Sequence, residues 1–497
     1  MINTEQEYIP DPLVYADIPD PDVIRVGNTF YMSSTTMYFS PGCPIMKSYD
    51  LVNWQIVNYV YDVLEDTDEF SLRNGKNAYG RGSWASSLRY HNGTFYVLFM
   101  SFTSNKSYIY QTNDIEHGKW KRQTFSTIFY DASLCFDDDG RVYIVSTSDG
   151  NFLLTELSAD LSQCKPNGLN MKWIASTELK EGLKGEGVHI QKINGYYFLF
   201  VIAWPKNSMR TEYCFRSKKI EGPYERKIVL QDEGAAQGGI IDTEDGKWYG
   251  FVFRDNGPVG RTPVLVPVTW KEDWPVFGEN GKIPHNSPYP ISGKDKTFVF
   301  ASDDFESANL KLEWQWNHNP DNSAWSTTQR PGFLRLTNSS TAKTFTQARN
   351  LLTQRTYGPS CSGETCIDTT NLKDGDTAGL AALQAKYAYV GVTQQGSKKF
   401  ICMTTTMDSE KETYVERTEE TVELNQDVVY LKETFDFPRN TVTFFYSLDS
   451  IKWKPIGKQL SMVYSLKHFT GYRFALFNLA TKTTGGYVDF DYLHLSN

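Results

Sequence analysis

The sequence predicts an all-β protein of two domains, a five-bladed β-propeller followed by a β-sandwich. A phrase made of an alternating apolar strand, a tight turn with glycine and a second, aromatic-rich strand recurs five times in the first half. After a proline-containing break, a second set of alternating strands runs to the C-terminus. No long amphipathic helical pattern interrupts either half, so both domains are expected to consist of sheets.

The five repeats indicate the number of blades. Their turns contain Gly-Asn, Asn-Gly or Asp-Gly, which favour two-residue hairpin turns because these turns need positive φ angles. A repeat of several short strands every 45 to 65 residues or so is typical of a propeller. The repeats begin at Asp20, Trp84-Ala85, Asp131, Glu186 and Gln237, and their turns lie at Gly27-Asn28, Asn92-Gly93, Asp139-Gly140, Asn194-Gly195 and Asp245-Gly246.

The composition of the sequence changes at residues 283–300, where three prolines, a glycine and polar residues indicate a linker. Residues 1–290 are therefore assigned to the propeller and residues 300–497 to the second domain. The second domain carries its own apolar strands, such as FTGYRFALFNLA, and no helix signal. Two packed sheets, a β-sandwich, are the expected arrangement. The acidic run 410–423 is expected to be a solvated strand and hairpin.

Composition narrows the classes of partner. The 497 residues include 50 basic and 59 acidic side chains, a net charge of −9, which argues against nucleic acid or an anionic membrane as partner. Aromatic residues make up 14% of the chain, as in β-rich proteins and in surfaces that stack on sugar rings. No apolar run is long enough to span a membrane, and MINTEQEYIPDP does not resemble a signal peptide. A cytoplasmic location is expected, or a secreted one if a signal has been removed.

The seven cysteines are odd in number and mostly lie in apolar strand context. This pattern favours reduced, buried thiols over a disulfide framework, although Cys361 and Cys366 could close a small loop. No His or Cys pair accompanies them, so a zinc site is not expected.

Three of the five repeats open with a carboxylate, at Asp20, Asp131 and Glu186. Equivalent strand starts converge on the axis of a propeller, so these acids are expected to meet at the mouth of one funnel. Like charges held together raise at least one pKa. Each acid alone could be a turn or capping residue, but three together match what acid/base hydrolysis of a glycosidic bond requires.

The first half resembles glycoside hydrolase family 43, the five-bladed propeller enzymes that act on arabinose- and xylose-containing polysaccharides. The matching phrases are ordered along the chain: PDPDVIRVGNTFY (19–31), SYDLVNW (48–54), WASSLRYHNGTFY (84–96), DASLCFDDDGRVY (131–143), GEGVHIQKINGYY (185–197) and GRTPVLVPVTW (260–270). The second half, especially GGYVDFDYLHL, resembles the jelly-roll, concanavalin-like sandwich of the family's β-xylosidase and arabinofuranosidase branches.

The resemblance implies roles for the acids. Asp20 matches the general base that activates water, Glu186 the general acid, and Asp131 the third acid, which raises the pKa of Glu186 and orients it. An anion near the acid helps it to keep its proton near neutral pH. Because a water must fit between base and sugar, the Asp20 and Glu186 carboxyls are expected roughly 6.5–9.5 Å apart, with inversion at the anomeric carbon.

Further positions are assigned to substrate binding. Trp84 opens the second repeat and is expected to form a stacking wall, with burial in the core as the alternative. Phe39 matches an aromatic residue beside the terminal sugar, and Arg261 matches an arginine that contacts substrate hydroxyls; its alternative is a structural ion pair. Gln237 stands where many family members place a histidine near an axial metal ion. His189 lies close to Glu186 in sequence and could bind substrate or be a packed side chain.

No cofactor is expected for the chemistry. The glutamine at position 237 puts a central calcium in doubt. A structural calcium on the sandwich is a separate expectation, with Asp304, Glu306 and Asp491 as ligands, because they come from first and last strands that pair in such sandwiches. The Asp137–Asp139 triplet lacks the spacing of an EF-hand loop and is expected to be a hairpin turn.

The resemblance implies an exo-acting, inverting glycosidase that releases terminal β-D-xylose, α-L-arabinofuranose or both from xylan- or arabinoxylan-derived oligosaccharides. The alternatives are an arabinofuranosidase acting on other glycans, a propeller that binds sugar without catalysis, and a scaffold for protein partners, which would not explain converging acids. A fructosidase of family 32 would carry WMNDPNG and RDP motifs, and neither occurs. The sandwich could also bind carbohydrate or form a dimer interface, and the oligomeric state is open.

Overall fold

The computed structural model describes residues 7–292, 294–407 and 415–497. Within these ranges the chain forms 37 β-strands and two short 3-10 helices, Gly257–Val259 and Phe345–Gln347. The expectation about a signal peptide concerns the first six residues, and the expectation of a solvated strand and hairpin concerns residues 410–414 of the acidic run. Both segments lie outside the described ranges. Within the described ranges, no helix is both long enough and apolar enough to cross a membrane.

Five antiparallel four-stranded sheets form the blades of a propeller, which confirms the predicted fold of the first half. The first repeat supplies β1 (Asp22–Val26), β2 (Thr29–Ser33), β3 (Phe39–Ser40), β4 (Gly42–Ser48) and β5 (Gln55–Tyr61), of which all but β3 form blade one. Blade two contains β6 (Ser87–His91), β7 (Thr94–Ser101), β8 (Lys106–Thr112) and β9 (Lys121–Phe125). Blade three contains β10 (Ser133–Phe136), β11 (Val142–Ser148), β12 (Asn151–Leu157) and β13 (Lys172–Ser176). Blade four contains β14 (Gly182–Ile193), β15 (Tyr196–Pro205), β16 (Thr211–Ser217) and β17 (Glu225–Leu230), and blade five β18 (Ala236–Asp242), β19 (Trp248–Asp255), β20 (Arg261–Lys271) and β21 (Trp274–Phe277).

The second half is a sandwich of two large antiparallel sheets, again as predicted. Its strands are β22 (Gln315–Asn317), β23 (Trp325–Ser326), β24 (Leu334–Thr337), β25 (Leu352–Arg355), β26 (Ser360–Asp368), β27 (Asp376–Leu383), β28 (Ala388–Gln395), β29 (Lys398–Met407), β30 (Val415–Leu424), β31 (Val428–Asp436), β32 (Thr441–Ser447), β33 (Lys454–Pro455), β34 (Leu460–Ser461), β35 (Arg473–Ala480), β36 (Tyr487–Phe490) and β37 (His494–Ser496). One sheet has the order β3-β22-β25-β35-β27-β28-β29-β30, and the other β23-β24-β36-β26-β31-β32-β33 with β34 and β37 attached. The order places a propeller strand, β3, at the edge of a sandwich sheet.

The seam between the domains is therefore a continuous sheet. Residues of β3 pair antiparallel with β22. One hydrophobic core continues across the seam, with Trp54 of the propeller and Trp316 of the sandwich as members. The buried Asp17 adds polar links, because its carboxylate accepts the backbone N–H of Arg261 at 2.8 Å and that of Gly471 at 2.9 Å. The sandwich is thus fixed against the face of the propeller that carries Arg261.

The propeller ring is closed between blades one and five. The backbone N–H groups of Leu13 and Ile18 bond to carbonyls of β20 at 3.0 and 2.8 Å, so the segment before β1 runs along the last blade. On the inner strands, Arg25 pairs with Asp242. All seven cysteines are free thiols, as predicted, so non-covalent contacts close this ring.

Candidate active site

A repeated hydrogen bond sets the register of the inner strands. The side chain of the first residue of one inner strand accepts a backbone N–H of the next inner strand: Asp22 accepts from Leu88, Ser87 from Leu134, and Ser133 from Ile190. Asp22, Ser87, Ser133, His189 and Gly239 are therefore equivalent positions, in agreement with the hairpin pairings. This repeated hydrogen bond, called the latch below, aligns the starts of the inner strands at one end of the ring, and the five equivalent residues are its latch positions.

The register corrects one sequence expectation. Asp20, Asp131 and Gln237 stand two residues before the latch position, and all three have positive φ angles, 50°, 43° and 63°. The equivalent residue of blade four is Gly187, with φ +60°, so Glu186 stands one residue earlier than predicted. The hairpin of blade four is irregular on both sides of Glu186, which sequence spacing could not show.

Gly187 occupies a place that no larger residue would fit. A Cβ atom there would lie 2.5 Å from Cδ of Gln237, and its positive φ is costly for other residues. The buried side chain of Gln237 therefore lies against Gly187, the residue next to Glu186. Its own N–H donates to Oε2 of the buried Glu212 at 2.6 Å. Gln237 thus belongs to the wall around the acids, and substrate binding by it stays a prediction.

Asp20 is a buried carboxylate with two charge-stabilising partners. Thr35 Oγ1 donates to its Oδ2 at 2.7 Å, and Arg261 Nη1 donates to its Oδ1 at 2.8 Å. Arg261 is itself buried, and the carboxylate of Asp20 raises its pKa against the effect of burial. This geometry fixes the orientation of the Asp20 carboxylate and pairs it with a permanent cation.

Asp131 and Glu186 form a coupled pair of carboxyls. Burial raises the pKa of Asp131 well above its ordinary value, and the charges of Glu186 and Asp20 raise it further. Burial also raises the pKa of Glu186; the hydrogen bond from Tyr130 Oη to its Oε2, at 2.9 Å, opposes the rise, and Asp20 adds to it. Gly187 N–H donates to Asp131 Oδ2 at 3.2 Å. The three acids are therefore neighbours, and the pair retains a proton at a pH where ordinary carboxyls have lost theirs.

An aromatic wall stands beside this pair. The ring of Trp84 lies 6.5 Å from that of Tyr130 and 5.2 Å from that of Phe469, which comes from the sandwich. Phe469 also lies 4.5 Å below the guanidinium of Arg261. Tyr464, from the same sandwich segment, has a buried hydroxyl without a hydrogen-bond partner in the described part of the chain. Burial raises the pKa of Tyr464, and the nearby charge of Arg261 opposes this rise. The wall around the acids is therefore built by both domains.

A chain of charges joins the surroundings of Glu186 to Arg261. Arg210 Nη2 lies 2.7 Å from Asp255 Oδ2, and Asp255 Oδ1 lies 3.4 Å from Arg261 Nε. The positive charge of Arg210 lowers the pKa of Glu186, although burial keeps the net shift upward. Asp255 thus holds two arginines, one facing Asp20 and the other near Glu186.

His189 lies on the propeller axis. Its Nδ1 is 3.3 Å from Asp22 Oδ1, and both side chains are buried. Arg89 fills the same region, where it bonds Asp22 Oδ2 at 2.7 Å and Ser133 Oγ at 2.6 Å and so joins three blades. Burial opposes ionisation of Asp22, but Arg89 and His189 lower its pKa to about 2. The contacts of His189 are those of an axial packing residue, and substrate binding by it stays a prediction.

Phe39 lies in the seam between the domains. It is 1% exposed, belongs to β3, and has the guanidinium of Arg473 stacked 3.7 Å from its ring and Tyr38 at 4.6 Å. Burial and the neighbouring Arg355 lower the pKa of Arg473 to about 9. These contacts give Phe39 an interdomain packing role, and its predicted contact with sugar has no support among them.

The proposed calcium ligands lie at the edge of the sandwich. Burial raises the pKa of Asp491, and the charges of Asp304 and Glu306 contribute, which indicates that the three carboxylates are neighbours. Asp304 Oδ1 lies 2.6 Å from His494 Nε2. Among the described residues, no group of three or more His, Cys, Asp or Glu side chains is arranged to hold a metal ion. Carboxylate oxygens suit calcium, and the site stays a prediction.

Sequence reasoning missed several residues around the acids. Tyr130 directly precedes Asp131 and shares the register position of Trp84 and Glu186, so the repeat itself could have indicated it. Arg210 and Asp255 lie at strand ends without a motif. Phe469 comes from the other domain, and no local signal links it to the propeller.

Comparison with known families identifies the chain. The model of glycosyl hydrolases family 43 matches residues 9–275, and that of the beta xylosidase C-terminal concanavalin A-like domain matches residues 302–496. The protein belongs to glycoside hydrolase family 43 and is a glycosidase.

Several relatives match nearly the whole chain. A beta-xylosidase of Formosa agariphila is 29% identical over 97% of this chain and 89% of its own, and a putative beta-xylosidase of Xylanibacter ruminicola is 30% identical over 89% and 82%. A bifunctional GH43-CE structure from Bacteroides eggerthii has a TM-score of 0.94 and 47% identity; it matches 99% of this chain, which spans only 64% of that longer one. A GH43 enzyme engineered to display endo-xylanase and exo-arabinofuranosidase activity has a TM-score of 0.88 and 29% identity, and covers 99% of this chain and 100% of its own.

Proposed function

We propose that the protein is an exo-acting, inverting glycosidase that removes terminal β-D-xylose, α-L-arabinofuranose or both from xylan- or arabinoxylan-derived oligosaccharides. The observation that carries the proposal is the group of three carboxyls at one end of the propeller, one paired with Arg261 and two sharing a raised affinity for protons. Such unequal environments distinguish a base from an acid. The names of the relatives, beta-xylosidases and a non-reducing end alpha-L-arabinofuranosidase of Bacteroides ovatus, support pentoses as the released sugars.

Asp20 acts as the general base in this proposal. Its carboxylate, oriented by Thr35 and Arg261, takes a proton from the water that attacks the anomeric carbon. Arg261 has further donors to offer to substrate hydroxyls, because only Nη1 is used on Asp20.

Glu186 acts as the general acid and protonates the leaving oxygen. Burial and the charge of Asp20 help it to hold a proton in the resting enzyme, and Tyr130 stabilises the carboxylate that forms when the proton is given away. The charge of Glu186 in turn raises the pKa of Asp131, so the two buried carboxyls compete for one proton. The reaction consumes one water, breaks the glycosidic bond and inverts the anomeric carbon.

Exo action is supported by the contribution of the sandwich. Phe469 packs against both Arg261 and Trp84, so the second domain closes the side of the acid group on which these two residues lie. A closed end admits a terminal sugar and stops a long chain from passing through. A small oligosaccharide is therefore the proposed partner.

The test is release of p-nitrophenol from the β-D-xylopyranoside and the α-L-arabinofuranoside, side by side. Glu186→Gln should abolish turnover of xylobiose, whereas Glu181→Gln, an exposed acid five residues earlier that pairs with Lys206, should leave it unchanged. Proton NMR of the first sugar released should show the inverted anomer. Inactivity of the wild-type enzyme on both glycosides and on xylobiose would favour a binding propeller, and a retained anomer would exclude Asp20 as base.

A further inference from the structure

Two aromatic rings remain exposed next to the residues that contact Glu186. Trp204 is 46% exposed and Phe102 is 44% exposed, although both are large apolar side chains. Phe102 stacks on Tyr130, the hydrogen-bond donor to Glu186, with ring centroids 5.8 Å apart. Exposed aromatic residues beside a buried polar site are typical of places where a ligand covers them.

Trp204 is held in a fixed orientation. Its Nε1 donates to the carbonyl oxygen of Ser208 at 2.8 Å, and the guanidinium of Arg210 lies 5.4 Å from its ring. Arg210 in turn is pinned by Asp255 at 2.7 Å. A ring supported from one side, with nearly half of its surface open, is a ready platform for a sugar ring.

The position of Trp204 relative to Glu186 follows from the strand pairing. Glu186 pairs with Ile202 of β15, and Trp204 lies two residues further along that strand, about 7 Å away. Arg210, which packs on Trp204, acts electrostatically on Glu186. The spacing between the two positions along the strand is comparable with the length of one sugar ring.

A general acid protonates the oxygen that joins the terminal sugar to the rest of the substrate, so the leaving sugar lies on the side of Glu186 away from Asp20. We infer that Trp204 and Phe102 form the binding site for the leaving sugar, with Trp204 stacking on its ring and Phe102 forming the opposite wall. This inference rests on the proposed function, because it takes Glu186 as the acid. The ligand is the pyranose unit next to the scissile bond of a short oligosaccharide.

The experiment compares two substrates with the same terminal sugar and different leaving groups. Cleavage of xylobiose releases a xylose as the leaving group, whereas β-D-xylopyranosyl fluoride releases fluoride, which has no ring to stack. The corresponding pair of arabinosyl substrates is used if the enzyme prefers arabinose. Trp204→Ala should lower kcat/KM for the disaccharide about 10- to 100-fold and leave the fluoride within about twofold. Phe102→Ala should act in the same direction, and Trp204→Phe should restore most of the rate.

Trp173→Ala is the matched control, because that tryptophan is 60% exposed on β13, the outermost strand of blade three. It should alter neither rate. Equal losses on both substrates, or no loss on the disaccharide, would overturn the inference while leaving the glycosidase assignment intact. A wild-type enzyme that cleaves neither substrate would overturn the proposed function, and the inference with it.

Discussion

The hydroxyl of Tyr130 offers a direct way to test the proposed role of Glu186 as general acid. Tyr130→Phe removes one oxygen and leaves the ring, with its contacts to Trp84 and Phe102, in place. The lost bond is a part-buried hydrogen bond of 2.9 Å to a carboxylate, a type that contributes about 1.5–3 kcal/mol. If it acts fully on the carboxylate formed in the transition state, kcat/KM should fall roughly 10- to 150-fold.

The size of the loss should depend on the leaving group. A p-nitrophenyl glycoside needs little protonation and should lose little, whereas xylobiose should show the full loss. The pH profile gives a second readout, because Tyr130 lowers the pKa of Glu186. Without this donor that pKa rises, Glu186 keeps its proton to higher pH, and the high-pH limb of kcat/KM moves upward.

Tyr224→Phe is the matched control, since Tyr224 donates to the carbonyl of Ile220 on the outer side of blade four. It should change neither the rates nor the profile. Equal losses on both substrates, or a high-pH limb that stays in place, would refute the assignment of Tyr130 as the donor that stabilises the general acid.

Three further substitutions test the rest of the site. Asp131→Asn removes the carboxyl whose pKa is raised by burial and by the charge of Glu186, so the higher of the pair's two apparent pKa values is lost. The high-pH limb should therefore move to lower pH, and kcat should drop about 10²- to 10⁴-fold. Arg89→Met leaves Asp22 buried without its cation and should cost about 3–5 kcal/mol of stability, measured by urea denaturation. Gly187→Ala introduces a side chain at φ +60° against a neighbouring amide and should cost about 1–3 kcal/mol while displacing Glu186, so kcat should fall with stability.

Two of these substitutions have a control on the same chain. Arg141→Met, whose partner Asp139 is exposed, should be nearly neutral beside Arg89→Met. Gly195→Ala also changes a glycine with positive φ, at +80°, but a Cβ there meets nothing within 4 Å. It therefore reports the cost of backbone strain alone, and any further loss of kcat in Gly187→Ala measures the displacement of Glu186. An unchanged pH profile in Asp131→Asn would contradict the coupling of the two carboxyls.

The sequence predicted the five blades because hairpin turns are local signals. Asn92-Gly93 and Asn194-Gly195 encode their turns within two residues, and the repeats then determine which strand starts converge. The one-residue displacement of Glu186 escaped because the bulges around it depend on how β14 pairs with β15. Register irregularities of this kind arise from packing and leave no regular trace in spacing.

Contacts between distant parts of the chain were beyond sequence patterns. Phe39 resembled a sugar-binding residue by its motif, yet an arginine 434 positions later covers its ring. The link between Arg210, Asp255 and Arg261 likewise depends on three strand ends brought together by the blades. Such positions are decided by which side chain fills a given space after folding, which single-sequence patterns do not encode.

The strand shared by the two halves limits how this enzyme can be divided or recombined. Cutting the chain between the two family matches would strip β22 from β3, expose Phe39 and Trp54 to water, and remove Phe469 from Arg261. A shortened propeller would therefore have an unpaired strand edge that promotes aggregation, and the wall around its acids would lack Phe469. Exchanging sandwiches between relatives would change residues beside the acids as well as the shared core, so the two halves are best engineered as one unit.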